Sequence, residues 1–260
     1  MTNSLPFPMF LFPTRCPICG NRLHAAERDI CSRCWAQIPL SGNRAKEGNI
    51  VEQQFWGRIP IERADTFMIY QRGARSQQLV RAIKYRGARK TGVSLGRAMA
   101  RQGMENGFFK GIDLIVPVPL ARRRFRRRGY NQAEALAQGM GQVNGLPVVT
   151  KGIRRVRSTS TQTGLDRMTR MVNVEGVFQV EDALRFRQKH ILLVDDVITT
   201  GATLISLAQS FMQACPEIRF SVFTLAQAAS LYIVPHHGVL PDEDEDQPWA
   251  SGGHVDLKEG

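Results

Sequence analysis

Hydrophobic and polar positions between residues 60 and 226 follow two alternating patterns. Short apolar runs, which are typical of buried strands, occupy residues 66–70, 112–116, 147–150, 191–194 and 220–226. Apolar residues spaced three or four apart, which are typical of helices, occupy residues 76–86, 94–102, 132–143 and 204–214. Strands that alternate with helices favour a parallel sheet. We therefore predict an α/β domain whose parallel sheet is flanked by helices.

The predicted strand 191–194 leads into the most informative segment of the chain. Two adjacent carboxylates, Asp195 and Asp196, follow the strand, and a turn rich in hydroxyl groups precedes the helix 204–214. Open α/β sheets bind ligands at the carboxyl ends of their strands, and free amides at a helix N-terminus favour an anion. The sequence therefore predicts a phosphate-binding loop beside carboxylates that accept hydrogen bonds from a sugar. The loop residues are Thr199, Thr200, Gly201, Ala202 and Thr203. A turn that binds no ligand is the alternative.

Four cysteines near the N-terminus have the spacing of a metal site. They form two C-x2-C pairs separated by eleven residues: Cys16, Cys19, Cys31 and Cys34. Two such pairs close a tetrahedral site of four thiolates, which is typical of structural zinc. Disulfides and a redox pair are the alternatives, although a cytosolic setting disfavours disulfides. Because the protein supplies all four ligands, the predicted zinc ribbon leaves no open position for catalysis.

A cluster of positive charge follows the predicted strand 112–116. Six of the seven residues from 122 to 128 are arginine, and Phe125 is the one apolar residue that can anchor them in a helix. Like charges three or four residues apart oppose a helix, so we expect a negative partner close by. The partner is either pyrophosphate, near Arg122, or the backbone of a nucleic acid strand. The arginines predicted to bind nucleic acid are Arg123, Arg124, Arg126, Arg127 and Arg128. A solvated charged face is the alternative.

The net charge also favours a polyanionic partner. The chain of 260 residues has 35 Lys and Arg against 23 Asp and Glu, a formal charge of +12. Residues 242–260 hold seven acidic side chains and one lysine, so that residues 1–241 carry +18. A body this basic attracts polyanions, of which nucleic acid is the commonest large one. Binding of a small phosphorylated ligand is the alternative explanation.

Changes in composition divide the chain into four segments. We predict a zinc ribbon with an N-terminal arm over residues 1–42, a linker of weak order over 43–59, the α/β domain over 60–234 and a disordered acidic tail over 235–260. Three prolines interrupt the apolar residues 5–13, which argues against a signal peptide. No apolar stretch approaches the roughly 18 residues of a membrane span. We therefore expect no membrane insertion and a cytoplasmic location.

Two levels of resemblance add to this interpretation. Residues 191–203 resemble the phosphoribosyl pyrophosphate (PRPP) motif of type I phosphoribosyltransferases. The whole chain resembles the competence protein F (ComF) family, which combines an N-terminal zinc ribbon with a phosphoribosyltransferase-type domain. The matching marks are the four cysteines, residues 84–87, 116–120 and 128–132, Gln162 with Leu165, Arg170 with Asn173, and residues 191–203. The acidic tail departs from the family pattern.

The resemblance implies roles for the predicted site residues. Asp195 and Asp196 would be the catalytic pair that contacts the ribose 2′- and 3′-hydroxyls, while residues 199–203 would enclose the 5′-phosphate. Residues 117–122 would form the pyrophosphate loop, which includes Pro119, Leu120 and Arg122. The ligand would be PRPP or another compound that contains ribose 5-phosphate, with Mg²⁺ bridging pyrophosphate and ribose oxygens. Zinc would have a structural role.

Three functions are compatible with these features. The first is binding of single-stranded DNA in natural competence, that is, DNA uptake and transformation, by a protein that retains a PRPP pocket. The second is an active phosphoribosyltransferase that transfers phosphoribosyl from PRPP to a nitrogenous base in nucleotide salvage. The third is an adaptor that docks a DNA-uptake helicase or a recombination protein through the zinc ribbon. The charge and the arginine cluster favour the first function.

Overall fold

The computed structural model describes residues 15–16, 18–27, 30–43, 46–84, 88–156 and 176–229. Its strands are β1 (Arg63–Tyr70), β2 (Leu114–Pro117), β3 (Ile153–Arg155), β4 (Phe178–Val180), β5 (His190–Ile198) and β6 (Arg219–Ala228). β1, β6, β5 and β2 lie side by side in that order and run parallel, whereas β3 and β4 form a separate antiparallel pair. The strand that carries the acidic pair, β5, is therefore an inner strand of the main sheet.

Helices cover both faces of this sheet. They are α1 (Ser32–Trp35), α2 (Arg75–Ala82), α3 (Arg89–Glu105), α4 (Arg122–Arg128), α5 (Gln132–Asn144) and α6 (Ala202–Ala214), with 3-10 helices at Glu52–Gln54 and Ala183–Arg185. Leu192 and Val194 pack in one buried apolar cluster with α2, α3 and α5. Ile191 and Leu193 pack in a second cluster with α6. This burial on both faces explains the unbroken apolar run before Asp195, and it confirms the predicted fold class.

The backbones of helices α3 and α5 approach each other so closely at two positions that no Cβ atom fits there. A Cβ atom at Gly96 would lie 2.0 Å from the carbonyl oxygen of Leu136, and one at Gly139 would lie 2.0 Å from the carbonyl oxygen of Val93. Glycine is therefore required at these two positions for close packing. The contact holds α5 on the sheet, and α5 begins near the carboxyl end of β2, where Asn131 caps it.

The segment 46–59 is ordered, so the prediction of weak order there is wrong. Val51 and Phe55 are fully buried and belong to the same apolar cluster as α6. The Glu52 carboxylate accepts hydrogen bonds from the amides of Gly48 (2.6 Å) and Ala64 (3.2 Å). The apolar residues of this segment have no regular spacing, because they follow a turn-rich path over the sheet. A periodic pattern could not identify them.

Residues 39–41 extend the sheet at its outer edge. The amide of Ile69 in β1 donates to the Pro39 carbonyl (2.9 Å), and the amide of Ser41 donates to the Phe67 carbonyl (3.0 Å). These bonds cover an edge that would otherwise expose unpaired backbone groups. The ring of Trp35 lies 6.4 Å from that of Phe67 in β1, as centroid distance, so Trp35 packs on the larger domain.

Other predicted elements differ in detail from the structure. The expected strand 147–150 is reduced to a single bridge between Val148 and Ile115. The expected helix 76–86 ends at Ala82, and residues 85–87 lie outside the described residues. The β3–β4 pair was not predicted, because each strand has only three residues and the two are distant in sequence. No helix among the described residues is long and apolar enough to cross a membrane.

Candidate functional site

The acidic pair lies inside β5, not after it. The strand continues to Ile198, and Asp195 is paired in register with Thr224 of β6. The Oδ1 atom of Asp195 accepts the amide of Asp196 (2.8 Å), and the Oδ1 atom of Asp196 accepts the amide of Val197 (2.8 Å). Both carboxylates are partly buried at the carboxyl end of an inner strand. Parallel α/β sheets bind their ligands at this end.

The environment of Asp195 disfavours its negative charge. Burial raises the pKa of this carboxyl well above its ordinary value, and the negative charge of Asp196 raises the pKa further. The hydrogen bond from the Asp196 amide and the positive charges of Arg155 and Lys84 act in the opposite direction. Two adjacent carboxylates that share one buried site do not ionise independently. The site therefore favours a ligand or cation that stabilises both charges.

The loop 199–203 presents open backbone amides beside this pair. Gly201 has φ of 71° in the left-handed region and forms the N-cap of α6, which has no side-chain cap and no acidic residue in its first turn. No hydrogen bond joins the amides of residues 199–203 to any acceptor among the described residues. Open amides at the N-terminus of a helix favour an anion such as a phosphate group.

Residues 54–58 support this loop from the outside. A Cβ atom at Gly201 would lie 3.4 Å from Cε1 of Phe55, so that the loop backbone lies close to the ring. The guanidinium of Arg58 donates to the Thr200 carbonyl (3.1 Å). These contacts fix the conformation in which the amides stay open. Sequence reasoning missed Phe55 and Arg58, because nothing in their local pattern links them to residues 142 or more positions away.

The loop after β2 also lies at the carboxyl ends of the parallel strands. The Val118 amide donates to the Val194 carbonyl (2.9 Å), which continues the pairing of β2 with β5. The Nδ2 atom of Asn131 donates to the Val118 carbonyl (2.9 Å), so that the N-terminus of α5 also lies there. Pro119 and Leu120 follow directly and are partly buried, whereas Arg122 begins α4 and is exposed. The structure thus brings the predicted pyrophosphate loop next to the acidic pair.

The arginine cluster forms the helix α4, but its orientation is the reverse of the predicted one. Phe125, the expected anchor, is 48% exposed, whereas Arg128 is only 8% exposed. The guanidinium of Arg128 donates to Oε1 of Gln132 (2.9 Å), and the negative charge of Asp196 stabilises its positive charge. The prediction that Phe125 anchors the helix is therefore wrong. Arg128 is also excluded from the proposed nucleic-acid surface, because a buried guanidinium cannot contact a strand bound outside.

The residue after the C-cap of α4 also points inward. Tyr130 is buried, and its hydroxyl donates to the Ile83 carbonyl. Burial raises the pKa of Tyr130 to about 12, so the phenol stays neutral and keeps its donor. Gly129, with φ of 80°, reverses the chain between α4 and this anchor. The arginines that face outward are Arg122, Arg123, Arg126 and Arg127, and Arg124 is half-exposed.

The four N-terminal cysteines converge on one centre. All four sulfur atoms lie within 4.8 Å of one another, and the Sγ atoms of Cys19 and Cys31 are 3.7 Å apart. Thiolates around a tetrahedral zinc ion, at about 2.3 Å from the metal, are separated by about 3.8 Å. The first pair is shaped by a turn in which the Gly20 amide donates to the Cys16 carbonyl (2.8 Å). The residues therefore fit a structural zinc ion.

Comparisons with known proteins agree with this arrangement. The double zinc ribbon domain family matches residues 8–46. The chain is 30% identical to competence protein F of Haemophilus influenzae over 238 residues, which cover 85% of this chain and 100% of that protein. The chain belongs to the competence protein F family. It is also 26% identical to the DNA utilization protein YhgH of Escherichia coli K12, over 76% of this chain and 84% of that protein.

Solved structures give more distant matches. A hypoxanthine phosphoribosyltransferase of Trypanosoma cruzi is 16% identical, with a TM-score of 0.37 over 57% of this chain and 71% of that chain. The allosteric regulatory enzyme of purine biosynthesis is 17% identical, with a TM-score of 0.35 over 52% of this chain. The match spans 25% of the length of that enzyme.

Part of the family resemblance falls outside the described residues. Residues 157–175, which include Gln162, Leu165, Arg170 and Asn173, are not described, and the predicted tail 235–260 is not described either. The described residues on either side of this segment pair with each other in β3 and β4, and the Val156 amide donates to the Val177 carbonyl (2.8 Å). β3 also carries Arg155, whose charge acts on Asp195. Sequence reasoning did not assign this role to Arg155.

Replacement of one zinc-site cysteine should remove the metal. We expect wild-type protein to contain about one zinc ion per chain and Cys34→Ser to lose most of it, because three thiolates do not close a structural tetrahedral site. The matched control is Cys215→Ser, since Cys215 is buried elsewhere and contacts the Ala183 carbonyl. Metal analysis of the purified variants checks this. Equal zinc content in wild type and Cys34→Ser would contradict the assignment.

Replacement of Asp195 should change how stability depends on pH. A carboxyl group with a raised pKa holds its proton more tightly in the folded state, so the folded state loses stability as pH rises from about 4 towards neutral. Asp195→Asn removes this loss, so its free energy of unfolding should exceed that of wild type by roughly 1–3 kcal/mol at pH 7–8. The difference should vanish near pH 4. Urea unfolding across this pH range checks it.

The control for this measurement is Asp113→Asn. Asp113 also accepts a backbone hydrogen bond, from the His190 amide (2.8 Å), but it is exposed at the amino end of β5. Its replacement should produce no comparable gain in the free energy of unfolding at neutral pH. Two results would contradict this: Asp195→Asn is less stable than wild type at pH 7, or its effect is the same at every pH. Either one means that the Asp195 carboxyl does not destabilise the folded state at neutral pH.

Proposed function

We propose that this chain binds a ribose 5-phosphate ligand, with PRPP as the first candidate, and binds single-stranded DNA along α4 as part of DNA uptake in natural competence. One observation carries the ligand proposal: two carboxylates near the carboxyl end of β5 are followed within a few residues by the open first turn of α6. The names of two relatives, competence protein F and DNA utilization protein YhgH, support the link with DNA.

We assign a part of the ligand to each element of the site. The amides of residues 201–203 are the donors for the 5′-phosphate, together with the hydroxyls of Thr199, Thr200 and Thr203. Asp195 and Asp196 accept hydrogen bonds from the ribose hydroxyls. Pro119, Leu120 and Arg122 would hold the pyrophosphate, since their loop begins at Val118, whose amide donates to the Val194 carbonyl next to the acidic pair. Carboxylate and pyrophosphate oxygens are the ligands that Mg²⁺ prefers, and the ion would neutralise part of the negative charge of the carboxylates and the pyrophosphate.

The DNA proposal depends on the outward face of α4. Arg122, Arg123, Arg126 and Arg127 are exposed on a helix of two turns. Repulsion between arginines three and four residues apart opposes this helix, and a bound polyanion would reduce that repulsion. A guanidinium matches the geometry of phosphate oxygens, and the phosphates of a strand are spaced along its backbone. A nucleic acid strand therefore fits this surface better than one small anion does.

Removal of exposed α4 arginines should weaken DNA binding and its dependence on salt. We expect Arg123→Ala, Arg126→Ala and Arg127→Ala, combined, to lower affinity for single strands of any sequence. The slope of log K against log salt should fall in magnitude by about 2, since each phosphate contact contributes about 0.7. The control combines Arg101→Ala, Arg187→Ala and Arg219→Ala, which remove equal charge at exposed positions elsewhere. A flat salt response of wild type, or equal slopes in both triple variants, would contradict the proposal.

Phosphoribosyltransferase activity is the second candidate function. The intact acidic pair favours it, because these carboxylates would contact the ribose whose C1 is attacked when a nitrogen nucleophile displaces pyrophosphate. In such a reaction the protein would position PRPP and stabilise developing charge, and Arg155 and Lys84 lie close enough to act electrostatically on Asp195. No recognisable base-binding hood is present in the sequence, so the acceptor base is not assigned.

Ligand binding and turnover can be separated in one set of proteins. PRPP with Mg²⁺ should raise the Tm of wild type by several degrees, because ligand at 100 times its Kd contributes about 2.7 kcal/mol to folded-state stability. The double variant Asp195→Asn, Asp196→Asn should show no shift, whereas Asp113→Asn should respond like wild type. Pyrophosphate release with a panel of nucleobases then tests activity. A Tm shift without turnover would reject the enzyme, and no Tm shift would contradict the pocket itself.

A further inference from the structure

Phe125 has an unusual position for an aromatic residue. It is the one apolar side chain of α4, and 48% of its surface is exposed. Its neighbours one turn away on the helix are Arg122 and Arg128. An exposed ring among arginines contributes little to folding, because it buries little apolar surface. A partner that uses both the ring and the surrounding positive charge would account for its placement.

The ring is held outward by anchors elsewhere in the segment. Arg128 donates to Gln132, and the Tyr130 hydroxyl donates to the Ile83 carbonyl, so the interior contacts belong to residues after the ring. The backbone at Phe125 is also fixed at both ends of the helix. Its amide donates to the Ala121 carbonyl (2.9 Å), and its carbonyl accepts the Gly129 amide (2.8 Å). The ring is therefore presented on a short, supported helix, and a partner does not have to order the backbone first.

Single-stranded nucleic acid matches this combination of groups. Proteins that bind single strands combine a positively charged surface for the backbone with aromatic side chains on which bases stack. A duplex hides its base faces, and an isolated phosphate has no base, so neither partner could stack a base on the ring. A protein partner with an acidic surface would use the arginines but would gain little from one isolated phenyl group.

From this placement we infer that Phe125 is a base-stacking residue for single-stranded DNA, with the flanking phosphates bound by the arginines of α4. The inference deepens the proposed DNA-binding function and rests on it. It assigns the ring to the bases and the guanidinium groups to the backbone. The two kinds of contact therefore respond differently to salt and to removal of the bases.

The test compares Phe125→Ala with Phe125→Tyr, which keeps an aromatic face, and with Met104→Ala. Met104 is 53% exposed at the end of α3, and it is the matched control for loss of an exposed apolar side chain. The probes are a short single-stranded oligonucleotide, the same backbone with abasic residues in place of its bases, and the duplex of the same sequence. Kd is measured for each probe over a range of salt concentrations.

Phe125→Ala should weaken binding of the single strand by about 5- to 100-fold, the range found for loss of one stacked base. The salt slope should stay unchanged, because the phosphate contacts remain. Affinity for the abasic strand and for the duplex should change by less than about twofold, since neither offers an accessible base face. Phe125→Tyr and Met104→Ala should bind like wild type. In a Phe125→Trp variant, the indole fluorescence should be quenched by the single strand and not by the abasic strand.

Two results would overturn the inference while leaving DNA binding intact. In the first, Phe125→Ala binds the single strand as well as wild type does. In the second, it loses affinity equally for all three probes with a changed salt slope, which means that the ring only supports the helix. If wild type binds no single strand at any salt concentration, the proposed DNA-binding function fails as well. The Tm of each variant, measured alongside, identifies a loss of affinity that comes from unfolding.

Discussion

The structure depends on one junction, the turn by which the inner strand β5 passes into α6. Gly201 takes a left-handed conformation there, and the amides of the first helical turn stay open. A desolvated carboxyl pair lies a few residues earlier on the same strand. Open amides at a helix N-terminus attract an anion, and burial disfavours the negative charge of the carboxyl pair. The proposed ribose 5-phosphate ligand would satisfy both groups.

The rest of the chain holds this junction in place. Burial of β5 on both faces fixes the strand, while Phe55 and Arg58 hold the turn from outside. The segment that carries these two residues continues from the cysteine cluster through residues 39–41 on β1. Val51 and Phe55 of this segment pack in the same apolar cluster as α6, so the described residues 46–59 lie against the helix that begins at the proposed phosphate-binding loop. The helix α4 follows directly from the loop that begins beside the acidic pair, so the proposed DNA-binding surface and the proposed ligand site both follow the carboxyl ends of the parallel strands.

The features predictable from the sequence are those with a local signature. Residues 191–203 specify a strand, a carboxyl pair and a helix start within thirteen positions, and cysteine spacing alone specifies the metal site. The orientation of α4 could not be predicted, because six arginines give no apolar face. Contacts of the residues at and after its C-terminus decide it: Arg128 donates to Oε1 of Gln132 in the next helix, and the Tyr130 hydroxyl donates to the carbonyl of Ile83, 47 residues earlier. Long-range packing is also why the segment 46–59 was interpreted as a linker.

The most direct test of the central claim is a crystal structure of the protein with PRPP and Mg²⁺. The account predicts that the 5′-phosphate accepts hydrogen bonds from the amides of residues 201–203 and that the ribose hydroxyls lie within hydrogen-bond distance of Asp195 and Asp196. A phosphate bound elsewhere in the molecule would contradict it. So would a complex in which these amides bond to the protein itself and both carboxylates face away from the ribose.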